Sequence, residues 1–96
     1  MAGTNLSSGL QTADAVVSDR RSILTGVNII TNLTADVTVI IYDNASAASG
    51  VVLYKRIVTG TLDSIYDNLG DDGVRAKNGI YVDVTGAGAA YIVHYK

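Results

Sequence analysis

At 96 residues, with seven Lys and Arg against nine acidic residues and a formal net charge of −2, the chain has room for one domain with a modest core and no basic field for a nucleic-acid backbone. The absence of cysteine removes disulfides, thiolate nucleophiles and zinc–thiolate sites, and no apolar run approaches the roughly 20 residues that cross a bilayer as a helix. Every acid is Asp, which favours turns and caps where Glu favours helix, and ten Gly with no Pro point to tight turns, so the class read here is all-β.

Residues 1–13 are small and polar, with Leu6 and Leu10 as their large aliphatics. They read either as a frayed terminus or as an arm that docks on a neighbouring subunit through those leucines. The N-terminus lacks the basic start and apolar block of a signal peptide, so the sequons at Asn5, Asn32 and Asn44 are expected to be unused. The folded domain is expected over 14–96, without an internal boundary or repeat.

Ala15–Val17 is a short first strand, ended by Asp19-Arg20-Arg21. The second runs from Ile23 to Thr31, with Val27 and Ile29 on one face and Gly26 at a bulge. After a turn at Asn32-Leu33-Thr34 comes the strongest strand, Asp36–Asp43. Val37, Val39 and Ile41 face one way and Ile40 and Tyr42 the other, so it should be central or covered by another subunit. A loop of small residues, 44–50, leads to the strand Val51–Val58, and Thr59-Gly60-Thr61 turns into a weaker strand, Leu62–Leu69. Gly70–Gly73 is a turn, Val74–Ala76 a short segment, and Asn78-Gly79 favours a type I′ turn. Ile80–Thr85, a reversal at Gly86-Ala87-Gly88 and a returning strand to Tyr95 form a closing hairpin. Seven or eight strands at this spacing predict a single antiparallel β-sandwich, jelly-roll-like, with a polar N-terminal arm. Val37, Val39 and Ile41 should share its core with Ile80, Val82 and Val84.

No catalytic constellation emerges. His94 stands mid-strand with no Ser–Asp partner or second His, and Thr85–Ala89 joins two strands where a nucleotide loop needs a strand and a helix. Asp67, Asn68, Asp71 and Asp72 lack the spacing and terminal Glu of a calcium loop and read as a solvated turn. The pairs Arg20-Arg21 and Lys55-Arg56, with Arg75 and Lys77, either blunt strand edges or meet carboxylates on a partner. Six tyrosines, Tyr42 and Tyr54 among them, are the only aromatics and suit both core and interface. A binding or structural protein is expected, with no enzyme activity, no cofactor and no metal.

Val39–Gly50 and Asn78–Tyr95 carry a further pattern: a strand ending Ile41-Tyr42-Asp43-Asn44, an Ala/Ser/Gly loop, and a hairpin opening Asn78-Gly79-Ile80-Tyr81-Val82. In these residues, about a third of the chain, it resembles small β-sandwich virion proteins of tailed bacteriophages. The resemblance implies a capsid decoration (cement) protein on the outer surface of the shell, made in the host cytoplasm, or else a small tail, baseplate or fibre component. It further implies a homo-oligomer, with a trimer expected, and the major capsid protein as partner. Leu6, Leu10, Arg20, Arg21, Tyr42 and Tyr54 are the expected contacts.

Overall fold

The computed structural model describes residues 6–33, 35–61, 63–70 and 72–96. Residues 1–5 of the expected arm, Thr34 in its turn, Leu62 at the head of its strand and Asp71 of the acidic loop lie outside them. The described residues form nine strands and no helix: β1 (Leu6–Ser7), β2 (Ala15–Ser18), β3 (Ser22–Ile30), β4 (Val37–Tyr42), β5 (Val52–Val58), β6 (Ser64–Asn68), β7 (Val74–Ala76), β8 (Ile80–Thr85) and β9 (Ala90–Tyr95).

Two antiparallel sheets make a small β-sandwich. One is ordered β1-β9-β3-β6, with β7 following β6 along the same flank of β3; the other is β2-β8-β4-β5. The period-two pattern explains the layering. On β4 the residues Val37, Val39 and Ile41 are fully buried while Thr38, Ile40 and Tyr42 are only partly covered. Ile80 and Val82 on the neighbouring β8 are equally buried, and Leu24, Val27, Ile29, Tyr91 and Val93 close the core from the other sheet. Each such side chain contributes about 1.5–3 kcal/mol. Val84 departs from its triplet: near the end of β8 it is half-buried and packs only against the core's margin.

Two local features differ from expectation for identifiable reasons, while the β3 bulge matches it. Asn78-Gly79 is not a type I′ turn, because Asn78 keeps a negative φ and its N–H is held by the Asp43 carboxylate at 2.7 Å. Gly79 is required there by crowding, since a Cβ would stand 2.5 Å from the Ser18 carbonyl oxygen. The bulge on β3 is where the sequence placed it, with the pairing to β9 slipping between Leu24 and Gly26.

The second difference concerns the N-terminal segment. From Leu6 onward it is built into the chain's own sheet instead of standing off as an arm. Leu6 and Ser7 pair with Tyr95 and His94, Ser8 N–H donates to Val93 O at 2.9 Å, and Gln11 exchanges two 2.9 Å bonds with Tyr91. Without this segment β9 would be an open edge, and its backbone groups need partners whatever the side chains of the pairing strand. At Asp14 the segment crosses over: its carboxylate accepts the Val84 N–H at 2.9 Å, and β2 then continues along β8.

Candidate interaction surfaces

The turn from β2 to β3 is held from within. Ser18 and Ser22 hydroxyls lie 2.6 Å apart, one donating to the other, and the remaining hydroxyl hydrogen serves the Arg20 carbonyl oxygen, which lies 3.2 Å from Ser18 Oγ and 2.9 Å from Ser22 Oγ. This brace presents Arg20 and Arg21 outward between the edges of the two sheets. There they border a cleft of about 510 Å³ with Leu6, Val16, Val17 and Tyr95 among its walls. Arg20 pairs with Asp19 at 3.4 Å, but both side chains are largely exposed, so the pair is weak and the guanidinium remains open to competition.

Of the six expected contact residues, the cleft brings three together: Leu6, Arg20 and Arg21. Leu10 stands apart and exposed, before Gln11 bridges to Tyr91. Tyr42 lies on the outer face of the β2-β8-β4-β5 sheet, beside Tyr81. Tyr54 sits at the other seam of the sandwich, where its hydroxyl donates to the Asp67 carboxylate on β6 and Arg56 bonds both Asp67 oxygens at 3.1 and 3.2 Å. Burial first, then the hydrogen bond and charge of Asp67, raise the Tyr54 hydroxyl well above the ordinary tyrosine range, with Arg56 opposing. This clasp joins the edge strands β5 and β6 and commits Asp67 to the seam, away from Asn68, which caps Gly70 N–H at 2.9 Å. The acidic loop is therefore divided between two duties.

Among the other tyrosines, Tyr91 is fully buried and donates to the Ala13 carbonyl oxygen at 2.7 Å. Burial, and behind it the charge of Asp14 and the nearby Tyr81, push its hydroxyl up to about 12, so it remains a donor. His94 Nε2 lies 3.0 Å from Asn28 Oδ1, and its ring meets Tyr66 edge-on with centroids 5.9 Å apart. Among the described residues no three His, Cys, Asp or Glu side chains gather as metal ligands.

Charge is distributed by end. Ile23 pairs with Arg75 and exchanges backbone bonds with Lys96, so Arg20, Arg21, Arg75, Lys77 and Lys96 occupy one end of the sandwich. Arg21, Arg75 and Lys77 line a groove of about 660 Å³ there. Asp43 shares this end. Its slight burial disfavours charge, but the N–H groups of Asn78, Lys77 and Gly79 and the Lys77 ammonium outweigh it and hold the carboxyl below its ordinary value. The turns of the opposite end carry Asp36 and Asp63 and no Lys or Arg. The clustering of five cations from three segments was hidden in the sequence, because it depends on strand register. No family model, curated protein or solved structure matches the chain.

Proposed function

We propose that this chain is a non-enzymatic structural protein of a tailed-bacteriophage virion, a decoration (cement) protein that binds the outer surface of the capsid and reinforces the shell. The observation that carries this reading is the cleft at the N-terminal edge, which sets Leu6 and Val16 beside Arg20 and Arg21. Apolar side chains flanked by little-committed guanidinium groups fit a segment of a major capsid protein bearing aliphatic and carboxylate side chains. The virion-like strand and hairpin patterns at 39–50 and 78–95 supply the identity of the partner. Reinforcement is then mass action: a protein that binds the assembled shell and not its separate subunits favours the assembled state. The chain works as a homo-oligomer on the capsid surface.

Shells lacking the protein, mixed with labelled chain, should bind many copies and withstand heating better. Leu6→Asp and Arg21→Glu should each reduce binding at least tenfold. Absence of labelled chain from the shell would overturn the proposal.

A second reading, a tail, baseplate or fibre component contacting tail proteins or a host receptor or glycan, draws on the 44–50 loop. Asn44 Oδ1 accepts the N–H groups of Ser46 and Ala47 at 2.8 and 2.9 Å, and its Nδ2 donates to Ser49 O at 3.1 Å. That bracing gives a small-residue loop a fixed shape suited to contact. Label found only at the tail would favour it.

A further inference from the structure

The outer face of the β2-β8-β4-β5 sheet has an ordered pattern of which the virion reading uses only Val16, at its edge. Register places its outward residues in three rows across the strands. One row runs Val16, Tyr81, Tyr42, Val52; the next Asp83, Ile40, Lys55; the third Thr85, Thr38, Ile57. Val16, Val52 and Ile57 are exposed at 44, 50 and 58%, which is high for aliphatic side chains on one sheet face. Ile40 and Tyr42 stand between them on the central strand. The two charges flank Ile40 symmetrically, Asp83 one strand away on β8 and Lys55 one strand away on β5. Among the described residues Lys55 has no ion-pair partner.

We propose that this face is a self-association surface on which a second copy packs about a two-fold axis running along β4 over Ile40. Such an axis exchanges the positions of β8 and β5. Each Asp83 then meets the Lys55 of the second copy, Ile40 meets Ile40, Tyr42 meets Tyr42, and each Tyr81 meets a Val52. The same charges exclude the other simple pairing. An axis across the strands would set Asp83 on Asp83 and Lys55 on Lys55, two repulsive contacts in place of two attractive ones. Strands of the two copies run near-parallel in the allowed arrangement, the usual relation of stacked sheets at about 30°. Asp83 also neighbours Asp14, and burial together with that second carboxylate makes its charge costly in the lone chain. An ammonium arriving from a second copy gives that charge a partner and offsets the repulsion from Asp14.

Size sets the strength. With the axis over β4, only β8, β4 and β5 of each copy overlap; three strands about 4.8 Å apart and about 20 Å long cover roughly 290 Å² of plane per copy, about a third of the ~800 Å² per partner of a standard interface. The pair is therefore a concentration-dependent dimer, populated when copies are held close together. The face is complementary about a two-fold axis, so a trimer has to be built on another surface.

The test is sedimentation velocity on the full chain from low to high micromolar concentration, with circular dichroism and melting curves as checks of folding. Wild-type mass should rise from one chain toward two. Lys55→Asp and Asp83→Lys should each weaken association at least tenfold, since each makes the face repel itself. Mixed in equal amounts, the two variants should form a two-chain species, because each reversed charge meets its opposite. The double variant should self-associate again. Ile40→Lys, which places two ammonium groups at the axis, gives an independent route to a monomer. A chain monomeric at high micromolar concentration, or charge reversals without effect on association, would each overturn the proposal. None of these outcomes depends on capsid binding, so failure here and failure of the virion reading are separable.

Discussion

On the outer face of the β1-β9-β3-β6 sheet the large ring of Tyr66, though 52% exposed, is seated on its neighbours. Tyr66 lies over Gly26, so closely that a Cβ there would come within 2.6 Å of its hydroxyl oxygen, and its ring meets His94, which in turn reaches Asn28. On the other sheet Ile40 and Tyr42 stand on a β4 without glycine, beside β5 with its exposed Val52 and Ile57, and Ile40 lies between a separated Asp83 and Lys55. The difference turns on one backbone position. A glycine in a strand leaves a flat seat that an aromatic ring can occupy from the neighbouring strand. Where every outward position carries a side chain, apolar area is left standing and can be covered only from outside.

The largest test of this contrast uses adjacent residues of β4. Val39→Asp should leave the chain unfolded or destabilised by about 4 kcal/mol or more, because it buries a charge with no partner. Ile40→Asp, one residue along on the outer face, should stay within about 1 kcal/mol of the parent in urea unfolding. Equal costs would mean that the outer face of β4 is core.

How far such a contrast is readable from sequence depends on the range of the interaction. Alternation within β4 and β8 is local, so the inward set of Val37, Val39, Ile41, Ile80 and Val82 was visible, as were the β3 bulge and the reversal at Gly86–Gly88. Strand β1 was not, because Leu6-Ser7 has no alternation and is defined only by the edge it pairs with. Long-range matters stayed hidden in the same way. The seat of Tyr66 on Gly26, the Tyr54–Asp67–Arg56 clasp and the meeting of Leu6 with Arg20 and Arg21 each join residues whose proximity is set by register and strand order.

A smaller effect belongs to the face that seats Tyr66. Tyr66→Ala should cost about 1 kcal/mol, the scale of an aromatic contact on a half-exposed surface. Gly26→Ala should unseat the Tyr66 ring, which can swing into solvent, and so cost no more than removing the ring. If the seat is real, the two changes overlap, and the double variant falls short of the sum by several tenths of a kcal/mol in a double-mutant cycle. Strict additivity would show that Tyr66 draws nothing from Gly26.

The smallest effect is electrostatic and lies on the uncovered face. Burial first, then the charge and hydrogen bond of Asp14, raise the Asp83 carboxyl above its ordinary value in the folded chain. The folded state therefore holds the Asp83 proton more tightly than the unfolded state does. Its ionised form carries a penalty that is complete above the raised folded value and relieved as pH falls toward the ordinary value, about 3.9. Asp83→Asn removes that penalty. At neutral pH and low concentration the variant should be more stable than the parent, by less than about 1 kcal/mol because water reaches the pair. The gap should close as the pH is lowered through the raised value. At high concentration the sign should reverse if the second copy supplies Lys55, since the variant then forfeits the ion pair that offsets the cost in the parent. Urea titrations at two pH values and two concentrations separate these outcomes. A variant less stable than the parent at neutral pH and low concentration would mean that Asp83 already finds its counter-charge within one chain, and the two outer faces would then differ less than their side chains imply.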